Sequence, residues 1–98
     1  MTETTYGDFE WHDEKAETNA AKHGVTFEEA ALAMGDASSV EAVDLVHPDR
    51  TITLGINPIT GLLYVVSTEG NQGRTRIISA RKANRDEQGI YRRRGFER

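Results

Sequence analysis

Residues 50–81 read RTITLGINPITGLLYVVSTEGNQGRTRIISAR, and they carry the clearest fold signal in the chain. Three segments with strand-like composition are separated by NPITG and EGNQG, two turn sequences rich in Gly, Asn and Pro. Because these links are short, the strands that they join are predicted to be antiparallel neighbours. The middle segment, LLYVVST, is apolar on both faces and is expected at the centre of the sheet.

Two short helices are predicted upstream of these strands. The first is expected to begin at an N-cap on Asp13, whose carboxylate can accept a backbone N–H, and to end at Gly24. The second is expected to follow Thr26, because Glu29 stands three residues later and completes a capping-box pattern. This second helix is short and should end at Gly35.

The remaining segments complete the predicted architecture. Residues 1–8 are polar and are expected to form a frayed end, while FEWH at residues 9–12 fits a short strand or an aromatic staple. Residues 40–46 alternate and add a fourth strand, and residues 84–94 are typical of a closing helix. The prediction is a single α+β domain over residues 1–98, with two N-terminal helices, a four-stranded antiparallel sheet carrying the helices on one face, and a C-terminal helix.

The composition excludes several classes of protein. Hydrophobic residues make up 37% and charged residues 29% of the 98 residues, as in a globular protein. The absence of cysteine excludes disulfides and thiolate metal sites. No apolar run approaches the roughly 18 residues of a membrane span, and the acidic start MTETTYGDFEW is unlike a signal peptide. We therefore expect a cytoplasmic protein that does not contact a membrane.

Charge is distributed unevenly along the chain. Residues 1–49 contain twelve acidic residues and two lysines, whereas residues 74–98 contain nine cations and three acidic residues. The net charge of −4 therefore conceals a basic C-terminal segment. Local potential, rather than net charge, determines where a phosphate backbone docks.

The arginines of the last predicted strand are the sharpest chemical signal. Strict alternation places Arg74 and Arg76 together on one face and Arg81 on the other, near Lys82 and Arg85 of the following segment. Guanidinium groups bind phosphate bidentately and can stabilise charge on a phosphorus under attack. A sheet face that pairs with the acidic N-terminal half explains the same pattern equally well.

The KHGV sequence at residues 22–25 is a second candidate site. An imidazole can exchange a proton near neutral pH, so His23 is a candidate acid or base, and Lys22 could neutralise a phosphate. Spacing alone favours a simpler interpretation, in which His23 serves the end of the helix. No histidine pair or carboxylate cluster has metal-ligand spacing, and no nucleotide-binding motif occurs, so neither a metal nor a cofactor is predicted.

FEWHDEKAETNAAKHGVTFEEAA at residues 9–31, followed by RTRIISARKANRDEQGIY at residues 74–91, resembles the BrnT family. The resemblance implies a RelE-like fold and the toxin component of a type II toxin–antitoxin module. It further implies a metal-independent endoribonuclease that cleaves mRNA and is neutralised by a BrnA-like antitoxin. Operator DNA is then expected to be contacted only through the antitoxin complex.

The residues that match the family are Lys22 and His23 in the turn and Arg76 and Arg81 in the strand, with Glu69 as a further match. In the expected mechanism, the RNA 2′-hydroxyl attacks the adjacent phosphorus while Arg76 and Arg81 stabilise the developing charge. His23 transfers the proton, which completes the predicted catalytic set. The predicted RNA-binding set is Lys22, Arg74, Lys82 and Arg85.

Two other functions fit the same sequence. A non-catalytic nucleic-acid-binding module would use the basic strand without a proton carrier, and a partner-binding module would dock its basic C-terminal segment on an acidic protein. Growth arrest after expression of the protein alone would distinguish a ribonuclease toxin from both. An antitoxin that silences the cationic face is expected to cover it with an acidic or groove-filling segment.

Overall fold

The computed structural model describes residues 2–96, which form a six-stranded mixed sheet and three α-helices. In chain order the elements are β1 (Glu3–Tyr6), β2 (Phe9–His12), α1 (Asp13–His23), α2 (Phe27–Met34), β3 (Val40–Val43), β4 (Arg50–Asn57), β5 (Gly61–Glu69), β6 (Thr75–Lys82) and α3 (Arg85–Arg92). The strands lie in the order β1-β2-β6-β5-β4-β3 across the sheet. No helix within residues 2–96 combines the length and apolar character needed to cross a membrane.

Residues 3–6 form a strand of the sheet, so the prediction of a frayed end over residues 1–8 is wrong for this segment. β1 pairs antiparallel with β2 across a turn in which Gly7 has a φ of +60°. β2 then lies parallel to β6, with Glu10 opposite Arg76. The sheet is therefore six-stranded and mixed instead of four-stranded and antiparallel. β1 and β2 were missed as a pair because each has four residues, too few for alternation to be informative.

α1 begins one position earlier than predicted. Its N-cap is His12, which makes no side-chain capping bond, and Asp13 is the first helical residue. The Asp13 carboxylate accepts a hydrogen bond from the hydroxyl of Thr4 at 2.6 Å, so it joins the hairpin to the start of the helix. The end of α1 is as predicted: Gly24 adopts a left-handed conformation with φ of +70° and donates its N–H to the Ala20 carbonyl.

α2 has the predicted capping box and packs closely on the sheet. The Thr26 hydroxyl accepts from the Glu29 N–H, and the Glu29 carboxylate accepts from the Thr26 N–H. At the other end of the helix, a Cβ placed on Gly55 of β4 would overlap the Ala33 carbonyl oxygen. Only glycine fits where the helix and the strand approach this closely.

The hydrophobic core lies between α1, α2 and one face of the sheet. Trp11 and Phe27 meet there in an edge-to-face arrangement, with ring centroids 5.7 Å apart. The other buried core residues are Val25, Ala30, Ala31, Ala33, Leu63, Val65, Ile77 and Ala80. α3 packs near β4 and binds Arg81 on the opposite face, so the prediction that all helices lie on one face is wrong.

Asn19 of α1 closes an open edge of β6. β2 pairs with β6 at residues 75–76, which leaves the backbone of Ala80 without a strand neighbour on that side. The buried Asn19 amide accepts from the Ala80 N–H at 3.1 Å and donates to the Ala80 carbonyl at 2.8 Å. It also donates to the Val25 carbonyl at 3.0 Å. One side chain therefore joins α1, the turn after it and the sheet.

We expect Asn19→Ala to lower the free energy of unfolding by about 2–4 kcal/mol, because it leaves buried backbone groups of Ala80 and Val25 without partners. Urea unfolding followed by circular dichroism measures the change. Glu17→Ala, at an exposed position of the same helix, is the control and should change stability by about 0.5 kcal/mol or less. Equal midpoints for the two variants would contradict the role assigned to Asn19.

Candidate active site

A β-bulge brings the two predicted catalytic arginines onto one face of the sheet. The register between β5 and β6 shifts at Ile78, which has no partner on β5. As a result Ile77 and Ala80, three residues apart, both reach the core. The extra residue reverses the alternation, so Arg76 and Arg81 share the face that points away from the core. The prediction that they lie on opposite faces assumed a strand without a bulge and is wrong.

A buried carboxylate holds Arg74 and Arg76. The Glu10 side chain is 1% exposed, and its Oε1 accepts a hydrogen bond from Arg74 Nε at 3.2 Å. The Arg76 guanidinium pairs with Glu10 and also with Glu3, at 3.1 Å. Asn71 donates its backbone N–H and its side-chain N–H to the same carboxylate. These two arginines therefore pair with the acidic N-terminal segment, as one of the two sequence interpretations proposed.

The carboxyl group of Glu10 remains ionised although it is buried, because its surroundings favour the ionised form. Burial alone would raise the pKa of this carboxyl group. Hydrogen bonds from the Arg74 side chain and the Asn71 N–H, together with the charge of Arg76, outweigh burial and hold the pKa below its ordinary value. Much of the positive charge of the two arginines is therefore compensated within the protein.

Arg81 is held by a second carboxylate and by an aromatic ring. Its guanidinium carbon lies 4.0 Å from the centroid of the Tyr64 ring. Its two terminal nitrogens donate to the Glu87 carboxylate at 2.9 and 2.8 Å. Glu87 also forms a capping box with Asn84 at the start of α3. The arginine is therefore fixed in direction and joins the end of β6 to the last helix.

Lys22 and His23 line a separate depression, which we call the α1–β6 groove. Its volume is about 380 Å³, and its lining comprises Glu14, Lys15, Thr18, Asn19, Lys22, His23, Ile78 and Ser79. Lys15, Lys22 and His23 are exposed on α1 and border this groove. None of the predicted arginines is among the lining residues found within residues 2–96. Arg76 and Arg81 instead precede and follow the Ile78–Ser79 segment along β6, with their side chains on the face that points away from the core.

The rest of the predicted RNA-binding set is more dispersed. Lys82 is exposed at the end of β6, and its charge helps to lower the pKa of Glu29, after the larger effects of the Thr26 N–H and the Thr60 hydroxyl. Arg85 is exposed at the first position of α3. Glu69 is exposed at the end of β5. Within residues 2–96, no three or more His, Asp or Glu side chains come together as a potential metal site.

Sequence reasoning missed the two carboxylates that hold the arginines. Asn84 and Glu87 have the same spacing as Thr26 and Glu29, so a search for capping boxes would have found Glu87 in the first turn of the predicted closing helix. Glu10 carries no comparable local signal. Its role depends on pairing with a strand more than sixty positions further along the chain.

Comparisons with known proteins give two findings. A family model described as the ribonuclease toxin, BrnT, of type II toxin–antitoxin system matches residues 11–87. The crystal structure of the Brucella abortus ribonuclease toxin BrnT is similar to this chain with a TM-score of 0.62 and 23% sequence identity, over 76% of this chain and 94% of that chain. A comparison with curated proteins finds no match.

We expect Glu10→Gln to destabilise the protein at pH 7. The stability of the variant should also decrease less than that of the unmodified protein as the pH is lowered. The pKa of Glu10 is lowered in the folded state, so its ionised form stabilises the protein at neutral pH and that stability is lost as pH falls below the ordinary value. Urea midpoints measured at intervals between about pH 7 and 3 test this.

The matched control for this pH series is Glu17→Gln, which removes an exposed carboxylate of α1. In this variant, both the urea midpoint at pH 7 and its decrease between pH 7 and pH 3 should stay close to those of the unmodified protein. If Glu10→Gln and the unmodified protein lose stability equally between pH 7 and pH 3, the Glu10 carboxylate is not a structural charge.

Proposed function

The chain belongs to the BrnT family of ribonuclease toxins of type II toxin–antitoxin systems, and we propose that it cleaves mRNA internally, without a metal ion, at the α1–β6 groove. The proposal is supported by a groove that Lys15, Lys22 and His23 border. The β6 wall of this groove, Ile78 and Ser79, lies between Arg76 and Arg81 along the strand. These donors are cationic, so they suit a phosphodiester better than a divalent cation.

The reaction that suits this set is attack by the RNA 2′-hydroxyl on the adjacent phosphorus. A bond forms between O2′ and phosphorus while the bond from phosphorus to O5′ breaks, which leaves a 2′,3′-cyclic phosphate and a free 5′-hydroxyl. The 2′-hydroxyl must lose a proton and the 5′-oxygen must gain one. We assign proton transfer to His23, the histidine that lines the groove.

Arg76 and Arg81 are assigned to the negative charge that develops on the phosphoryl oxygens. Their side chains remain 19% and 36% exposed while paired with carboxylates, so part of each can meet a ligand. Because Glu10 and Glu87 fix the guanidinium directions in advance, little reorganisation is needed when charge develops. Lys22 would clamp a phosphate in the groove, and Arg74, Lys82 and Arg85 would contact the flanking RNA.

The family description implies an antitoxin and an RNA target. We propose that the antitoxin is BrnA-like, that operator DNA is bound only through the complex, and that the toxin acts in the cytoplasm, where mRNA is accessible. We further propose that residues 1–98 act as one toxin domain with a RelE-like fold. Met1, Glu97 and Arg98 of this range lie outside the described residues.

We expect His23→Gln to reduce cleavage of an RNA oligonucleotide by about 100-fold or more, since general acid–base catalysis contributes about 10²–10⁴. His23 is exposed, so the variant should fold normally. The control is His47→Gln, at an exposed histidine outside the groove lining. Both purified variants are assayed with EDTA present. Full activity of His23→Gln would remove this residue from the mechanism, and loss of wild-type activity in EDTA would contradict metal independence.

We expect Arg76→Ala and Arg81→Ala each to lower the turnover number by about 100-fold, the usual effect of removing one charge-stabilising donor. Each substitution also removes an arginine partner from a carboxylate, so near-ultraviolet circular dichroism must confirm the fold. Glu87→Gln retains the Arg81 guanidinium and should reduce cleavage much less than Arg81→Ala. Equal losses for these two variants would show that Arg81 acts through structure and not through its charge.

A further inference from the structure

The exposed apolar side chains fall mainly into two patches. Within residues 2–96, three of them, Tyr6, Leu32 and Ile59, line a groove of about 630 Å³ between the β1–β2 turn, α2 and the β4–β5 turn. We call it the hairpin groove. Its exposure is substantial: Leu32 is 57% and Ile59 is 93% accessible. Exposed apolar side chains that line one groove make it a candidate interaction surface.

The hairpin groove has an acidic rim. Asp8 and Glu28 are exposed, line the groove, and form no ion pair with any residue from 2 to 96. Glu29 also lines the groove, but the Thr26 N–H and the Thr60 hydroxyl already occupy its carboxylate. Two uncompensated carboxylates beside apolar side chains favour a partner segment with apolar side chains flanked by Lys or Arg.

We propose that the hairpin groove is the docking site for such a basic, apolar segment of the antitoxin. The proposal rests on the proposed function for the identity of the partner. Apolar side chains would fill the groove between Leu32 and Ile59, and cations would meet Asp8 and Glu28 at its edge. An apolar centre with a charged rim is the usual composition of a protein–protein interface.

A segment docked in this groove would not itself cover the proposed catalytic residues. The hairpin groove and the α1–β6 groove share no lining residue. A substitution in the hairpin groove should therefore separate antitoxin binding from RNA cleavage. Inhibition would then require another part of the docked antitoxin to reach the cationic face.

The second apolar patch provides a matched control. Val43 at the end of β3 and Leu45 and Val46 just after it are exposed, and Leu45 is 93% accessible. The acidic residue of this patch, Asp44, already accepts hydrogen bonds from the N–H groups of Val46 and His47. This patch therefore matches the hairpin groove in apolar exposure but lacks its uncompensated carboxylates.

The test measures the affinity of the purified toxin for its cognate antitoxin by calorimetry. Leu32→Lys and Ile59→Lys should each weaken binding by about tenfold or more, because each places a charge in the apolar centre of the interface. Leu45→Lys should stay within about twofold of the unmodified toxin. Each free variant should cleave RNA at the unmodified rate, which shows that the fold and the α1–β6 groove are intact.

A charge series tests the acidic rim separately. Glu28→Lys should weaken antitoxin binding and reduce its sensitivity to salt, because it removes one attractive pair at the rim. Glu41→Lys makes the same charge change at an exposed position of β3 and should have little effect. Equal effects of these two variants would show that net charge, and not the rim of the groove, governs the association.

Three results would overturn the proposal. Unchanged affinity of Leu32→Lys and Ile59→Lys would exclude the hairpin groove, and weakened affinity of Leu45→Lys alone would assign docking to the β3 patch. If Leu32→Lys and Ile59→Lys abolished a toxin homodimer in sedimentation experiments but bound antitoxin normally, the hairpin groove would be the contact with a second copy of the chain. Absence of RNA cleavage by the unmodified toxin would count against the proposed function alone, since binding is measured without it.

Discussion

The buried carboxylate of Glu10 is the charge around which the N-terminal hairpin and β6 are assembled. A charged group removed from water is tolerated only when opposite charge and hydrogen bonds replace its hydration. Arg74 and Arg76 supply Glu10 with opposite charge and hydrogen bonds, and the Asn71 N–H donates a further hydrogen bond. The pairing also selects the register, because β2 lies parallel to β6 with Glu10 opposite Arg76. A strand at the N-terminus is in this way joined to the strand that carries the proposed chemistry.

The same pairing explains why an acidic protein can place arginines at a proposed phosphate site. Unpaired guanidinium groups on adjacent positions would repel each other, whereas carboxylates on their inner side reduce that repulsion and fix their directions. Glu87 has the equivalent role for Arg81, with Tyr64 beneath the guanidinium plane. These carboxylates lower the local positive potential, so attraction of RNA depends more on the exposed cations of α1. A preorganised but partly neutralised arginine contributes mainly where charge increases during the reaction.

The sequence predicts the elements whose signals are local. Strand-like composition between two turn sequences identified β4 to β6, the αL glycine ended α1 at Gly24, and the capping box placed the start of α2 at Thr26. The errors arise where distant residues decide the outcome. The isoleucine pair in β6 suits either face of a sheet, so the bulge at Ile78 depends on packing against α1 and β5. The pairing of Glu10 with β6 likewise has no local signal, and it changes both the strand count and the surroundings of the candidate arginines.

The uneven distribution of charge along the chain becomes a division between surfaces in the fold. Carboxylates of the first half have two roles. Glu10 and Glu3 pair with arginines, whereas Asp8 and Glu28 at the hairpin groove form no ion pair within residues 2–96. The hairpin groove and the α1–β6 groove share no lining residue, and charges separated by more than the roughly 8 Å Debye length at physiological salt are largely screened from each other. Each groove is therefore governed by its own nearby charges and not by the net charge of the chain. An acidic rim attracts a basic protein segment and repels RNA, which keeps the two proposed ligands from competing for the same surface.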